Sequence, residues 1–175
     1  MHTTAFATLV FLRDASGRVC LALKKDPIHK EGAELEQSKG KWNGYGGKKK
    51  ADETILQAAI RELREESKVT AQEEDLELVA EMNFFWPRSQ SLNPDMVVWI
   101  FFLSKFEGQP QEGKEMCTPT FFEHHEIPYS KMNLADGVFI PRLLQGEKLV
   151  WDVHFGKKNA DGSVYYEDKG RAPAL

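Results

Sequence analysis

The residues in this chain best suited to chemistry are three glutamates, Glu62, Glu65 and Glu66, in the run Arg61-Glu-Leu-Arg-Glu-Glu66. Residues three and four apart are neighbours on a helix, so this spacing gathers three carboxylates on one patch. Like charges so placed disfavour an isolated helix by roughly a few tenths of a kcal/mol each, and a divalent cation reverses the sign of that effect. An all-oxygen donor set selects a hard ion, Mg²⁺ with Mn²⁺ as a substitute, and such an ion keeps waters and binds substrate phosphates. The alternative is a solvated acidic face paired with Arg61 and Arg64, and spacing alone does not exclude it. The residues upstream weigh against it. Gly44-Tyr45-Gly46-Gly47 is a glycine-rich turn whose backbone can approach an anion closely or offer a carbonyl to a metal. Lys48-Lys49-Lys50 follows directly and Lys24-Lys25 lies earlier, two basic clusters that read as solvated surface on their own but suit a polyphosphate beside a metal.

The elements that must position these residues are legible in outline. The segment 53–67 predicts a helix with Leu56, Ala59, Ile60 and Leu63 on one apolar stripe facing a core, and the glutamates turned away from it. Glu53 falls at its start, where a negative side chain complements the helix dipole. Residues 5–13 and 18–24 read as two strands joined by Asp14-Ala-Ser-Gly17, a hairpin. Residues 26–41 read as a loop with a weak helical stretch at Ala33–Gln37. Further strands are expected near 76–84 and 95–105, then a loop at 106–119, a short strand at Thr120–Glu123, a turn at Ile127–Tyr129 and a second helix at Asp136–Gln145. Asn159-Ala-Asp-Gly162 between Trp151–Phe155 and Ser163–Tyr166 predicts a terminal hairpin, with a domain over 1–167 and a frayed tail from Asp168 to Leu175. Mixed strands with two helices indicate an α/β sandwich.

Composition bounds the partners. With 175 residues, 41% of them hydrophobic, the chain is sized for one domain with a substantial core. No apolar run is long enough for a membrane span, and no secretory pattern opens the chain, so a cytoplasmic location is expected. Cys20 and Cys117 are too few for a disulfide framework and lack zinc spacing. A net charge of −4 argues against long nucleic acid as a partner, leaving a small anionic ligand held by local charge and a monomer or homodimer.

The run from Gly47 through Glu53, Arg61-Glu62-Leu63, Glu65-Glu66 and Val69 resembles the signature of the Nudix hydrolases, departing from it where Lys68 stands in place of a helix-ending glycine. Lys41-Trp42-Asn43-Gly44-Tyr45-Gly46-Gly47-Lys48 is similar to the matching loop of the MutT-type 8-oxo-dGTP diphosphatases, especially their mammalian branch. The resemblance implies a Nudix-type α/β/α sandwich with a mixed sheet and a loop-helix-loop. It implies Mg²⁺-dependent hydrolysis of a nucleoside triphosphate to the monophosphate and pyrophosphate, with Glu62, Glu65, Glu66, the Gly46 carbonyl and the loop carboxylate Glu115 at the metal and Arg61 orienting the glutamates. Thr8, Lys24 and Asn43 match substrate-contacting positions, and Tyr45, Gly46, Gly47 and Lys48 complete the loop around the substrate. In the base-recognition segment the branch has a tryptophan and two adjacent aspartates, whereas this chain has Asn133, Leu134, Ala135 and Asp136. One carboxylate remains, so weakened discrimination for 8-oxo-guanine is expected, with Phe84, Phe85 or Trp86 as replacement stacking rings. Two other readings stay open: a Nudix pyrophosphatase for another nucleoside-diphosphate-linked compound, and a non-catalytic ligand-binding module. The intact glutamates argue against the module.

Overall fold

The computed structural model describes residues 3–25, 40–87 and 91–174. The expected loop at 26–41, with its helical stretch at Ala33–Gln37, lies almost wholly outside the described residues. Among those described, eight strands form one mixed sheet: β1 (Ala5–Arg13), β2 (Val19–Lys24), β3 (Trp42–Asn43), β4 (Glu77–Phe85), β5 (Met96–Leu103), β6 (Met116–Phe122), β7 (Leu149–Lys158) and β8 (Val164–Gly170). Their order is β3-β2-β1-β5-β4-β7-β8, with β6 also on β2. β1 runs parallel to β5 and β4 parallel to β7, while the hairpin partners are antiparallel.

Alternation along the strands gives the sheet two apolar faces, each needing a cover. On β1, Val10 and Leu12 point to one side, where α1 (Ile55–Ser67) buries Ala59 and Leu63 together with Tyr45 and Phe101. Phe11 points to the other, where α2 (Asp136–Leu144) packs Phe139, Ile140 and Leu143 against Met82 and Trp151. The α/β/α sandwich follows, with helices on both faces.

Local chemistry explains where α1 starts and stops. Thr54 is its N-cap, accepting from the Gln57 backbone N–H at 3.1 Å while the Gln57 side chain accepts from Thr54 N–H at 3.0 Å, a capping box. Glu53 therefore lies before the cap rather than in the first turn, and no acidic side chain sits there. At the other end Lys68 takes the left-handed conformation, φ 64° and ψ 8°, the backbone that the missing glycine would have adopted freely.

Several expectations shift. β6 begins at Met116, earlier than Thr120, because its first residues pair with the end of β2 and Thr118 takes up the register change at φ 51°. The turn at 127–129 is two short 3₁₀ turns, His124–Glu126 and Tyr129–Lys131. The terminal hairpin is longer than expected, and its second strand runs through Gly170. Asp168 is thus inside β8, opposite Trp151 and accepting a 3.0 Å hydrogen bond from Arg142, not the start of a frayed tail.

Candidate active site

The glycine-rich turn is wedged between β1 and α1. Thr8 N–H donates to the Gly47 carbonyl at 3.0 Å, and Val10 exchanges two backbone hydrogen bonds with Tyr45. A Cβ on Gly46 would lie 2.0 Å from the Thr8 carbonyl oxygen, and one on Gly47 would lie 2.6 Å from the Glu62 carboxyl carbon. Gly46 accepts only glycine because backbone already fills the space, whereas a side chain at Gly47 would have to displace the Glu62 carboxylate. The same closeness lets Gly46 N–H donate to Glu66 Oε2 at 2.8 Å, which joins turn to helix.

The three glutamates sit in different surroundings. Glu66 is 6% exposed and shares the inner flank of α1 with Ala59 and Leu63, so it does not face away from the apolar stripe as the helical projection predicts. Its spacing of three and seven residues from those two keeps it on their side of the helix. Burial pushes its carboxyl up to about 7, with the Glu62 and Glu115 charges adding to the rise, while the Gly46 N–H and Lys24 oppose it. Glu62 is half-buried and receives Arg61 Nη1 at 2.6 Å; Glu65 is the open one, 53% exposed and 3.5 Å from that nitrogen. Arg61 also grips Glu53 through Nε at 2.8 Å and Nη2 at 2.6 Å, and Nη2 reaches the Lys48 carbonyl at 3.1 Å. Glu53 is thereby held well below the usual carboxylate range, at about 2. Arg61 is saturated by acidic side chains and the turn, in keeping with an orienting part.

Glu115 arrives through strand pairing. Its carbonyl accepts from Lys25 N–H at 2.7 Å, and its neighbour Met116 lies opposite Lys24 in the β2–β6 ladder. Gly113 packs so tightly on α1 that a Cβ there would stand 2.4 Å from the Glu66 carbonyl oxygen. Lys24, Glu62, Glu66 and Glu115 thus share one electrostatic neighbourhood. The donor set is all oxygen, and one buried carboxylate among further negative charges is compensated by a dication, so these residues fit a hard divalent ion.

Beside the turn opens a cavity of about 650 Å³ that Gly46, Gly47 and Lys48 border on one side. Thr8 and Asn43 are on its wall. The Thr8 hydroxyl is buried without a hydrogen-bond partner among the described residues, and Asn43 Oδ1 accepts from Gly44 N–H at 2.9 Å. Asn133 and Asp136 lie on the wall as well; Asp136 is 4% exposed, and its carboxylate accepts from Asn133 N–H at 3.0 Å. Burial raises its carboxyl to about 7 against the lowering pull of the Asn133 hydrogen bonds and the Lys41 charge.

Two expectations fail here. Tyr45 is fully buried in the α1-side core, its hydroxyl 3.6 Å from Cys20 Sγ and both its backbone groups bonded to Val10, so it is not on the cavity wall. Phe85 turns to the opposite sheet face, where it stacks on His154. Phe84 and Trp86 do face the cavity, and Phe155 joins them, with ring centroids 5.9 Å from Phe84 and 4.8 Å from Trp86. Phe155, Tyr166 and Lys41 were missed as cavity residues. The signal for Phe155 was the alternation Trp151, Val153, Phe155 along β7, but it needs the β4–β7 register, which sets Phe84 opposite Val153, to be read as a wall.

Comparison with known proteins agrees with this geometry. The NUDIX domain family model matches residues 3–143. An oxidized purine nucleoside triphosphate hydrolase of Danio rerio is 38% identical over 150 residues, covering 86% of each chain. The protein of that name from Mus musculus is 34% identical over 166 residues, 95% of each. Among solved structures, a MutT protein from Bacillus halodurans superimposes with a TM-score of 0.67 at 20% identity, covering 94% of this chain and 97% of that one, a likeness of fold.

Proposed function

On the premise that this chain belongs to the NUDIX domain family and is a Nudix hydrolase, we propose that it hydrolyses a purine or oxidised purine nucleoside triphosphate to the monophosphate and pyrophosphate. The observation that carries this reading is the junction at Gly46 and Gly47, which joins a cluster of carboxylates to an apolar cavity with aromatic walls. A nucleotide has the same two halves, an anionic tail and a flat base.

Nudix hydrolases generally use a divalent metal. Glu62, Glu65, Glu66, the Gly46 carbonyl and Glu115 would hold Mg²⁺, which when bound neutralises the polyphosphate and favours attack by water. Around it the chain's own residues act. Lys24 and Lys48 hold the phosphate tail as point charges, and Arg61 keeps Glu62 and Glu65 in place. Glu65 or Glu115, the exposed carboxylates of the group, accepts the proton of the attacking water. The base stacks against Phe84, Trp86 and Phe155, while Asp136, Asn133 and Thr8 present hydrogen-bonding groups to its edge. The oxidised-purine activity in the relatives' names supports this substrate class. With Ala135 beside Asp136, a single carboxylate reads the base, so selectivity for the oxidised form should be relaxed.

The test is a panel of oxidised and unoxidised purine triphosphates, pyrimidine triphosphates and ADP-ribose with Mg²⁺, following released pyrophosphate against phosphate. Purine triphosphates should give pyrophosphate, and Glu66→Gln should lower kcat by roughly 10²–10⁴ while unfolding at a temperature close to that of the parent. Turnover of ADP-ribose alone, or full activity in the variant, overturns the proposal.

A further inference from the structure

The tightest convergence of metal-ligating side chains among the described residues is on the sheet face opposite the nucleotide cavity. Asp152 and Glu167 are direct partners across the β7–β8 ladder, and His154 lies two residues along β7 on the same face. One ligand atom from each falls within 4.8 Å of the others; Asp152 and His154 are half-buried, while Glu167 is 46% exposed. α1 does not reach this edge of the sheet, so the group borders a depression of about 450 Å³.

The side chains are held from behind, as ligands usually are. Asn83 Nδ2 donates to Asp152 Oδ1 at 3.1 Å. The His154 imidazole lies flat on Phe85, with 4.5 Å between centroids and 12° between planes, and Tyr165 closes on it at 5.5 Å. A cation already answers the two carboxylates: Lys169 Nζ is 2.8 Å from Glu167 and 3.5 Å from Asp152. Lys169 is 43% exposed on a long stem and can swing into solvent. Two carboxylates and a neutral imidazole carry the charge that balances a dication, and three protein donors leave positions open toward the depression.

We propose that Asp152, His154 and Glu167 form a second divalent-cation site, separate from the α1 glutamates. Its imidazole selects a transition ion such as Zn²⁺ or Co²⁺ over Mg²⁺, in contrast to the all-oxygen set on α1. Lys169 is its built-in competitor.

The test uses the full chain carrying Glu66→Gln, to weaken the other site, titrated with Zn²⁺ by calorimetry. One Zn²⁺ should bind, and adding His154→Ala or Asp152→Asn should abolish that binding. Lys169→Ala should tighten it roughly tenfold by removing the competing charge. The single variants His154→Ala and Asp152→Asn, at the parent's α1 glutamates, should keep Mg²⁺-dependent turnover, which also reports that they fold. Zn²⁺ binding that is indifferent to His154→Ala, or absent even in Lys169→Ala, overturns the proposal.

Discussion

Arg61 reaches back eight residues to hold Glu53 by two hydrogen bonds, Nε at 2.8 Å and Nη2 at 2.6 Å, while its remaining nitrogen holds Glu62. A planar guanidinium does this and an ammonium cannot. Arg61→Lys should therefore lower kcat by about 10- to 100-fold with little change in KM, because the glutamates lose their alignment rather than the substrate its contacts. Unchanged steady-state kinetics would reduce Arg61 to a fold-holding residue. The same pair sets an acid limit. Glu53 has its carboxyl lowered in the fold to about 2 from 4.5, so the stability it contributes is present above pH 4.5 and lost as the pH falls toward 2. Glu53→Gln should flatten that part of an acid-unfolding curve.

The approach of Gly46 to Thr8 leaves no room for a methyl group. Gly46→Ala should push the turn off β1, costing roughly 1–3 kcal/mol in denaturant unfolding and breaking the Gly46–Glu66 hydrogen bond. Activity should fall further than stability, since the displaced turn carries one side of the cavity. A variant with wild-type unfolding midpoint and turnover would show the turn to be softer than its spacing implies.

Lys68 spends its conformational energy on a left-handed backbone. Glycine adopts that geometry without penalty, so Lys68→Gly should raise stability by about 0.5–1 kcal/mol, a rise of a few degrees in Tm at this size. The gain is partly offset by loss of the 3.0 Å hydrogen bond from Lys68 Nζ to the Glu65 carbonyl. Calorimetry of the two proteins decides it, and a lower Tm for the glycine variant counts against the strain.

Asp136 runs opposite to Glu53. Its carboxyl is raised in the fold to about 7 from 3.8, so the folded protein holds this proton more tightly than the unfolded chain. The associated stability is present below pH 3.8 and is lost as the pH climbs through 7, by at most about 4 kcal/mol at 1.36 kcal/mol per unit. Asp136→Asn should remove that slope. Urea unfolding of both proteins at pH 5 and pH 8 measures it, and parallel behaviour would mean that Asp136 is ionised throughout.

The acidic end of the site was readable from residue order because it is local: Gly46 to Glu66 is a turn and one helix, and helical spacing alone puts Glu62, Glu65 and Glu66 on neighbouring turns. The spacing of the glutamates from one another does not distinguish them, although the offset of Glu66 from Leu63 and Ala59 puts it on the buried flank. Glu66 is buried because the turn closes over it and Gly113 packs on the helix end, both contacts between distant segments. The strands on each side were legible through alternation, and β1 and the start of α2 fall where expected. The cavity's aromatic wall was half visible. Phe84 and Trp86 share a parity on one chain segment, but Phe155 and Tyr166 join them only through parallel pairing of β4 with β7 and the closing hairpin. Tyr45 misled because its neighbours border the cavity, whereas the sheet turns its ring inward to fill the α1-side core.

The longer terminal hairpin has a bearing on how the molecule comes into being. Val153, Phe155, Val164 and Tyr166 wall the cavity from the far end of the chain, long after the acidic helix has been synthesised. A nascent polypeptide emerging from the ribosome has its acidic helix early, yet the wall proposed to face the base stays open at Val164 and Tyr166 until β8 seals the sheet. Premature termination before Val164 should yield a product whose acidic helix is complete but whose cavity lacks Val164 and Tyr166, so its nucleotide affinity should fall well below that of the protein carrying β8.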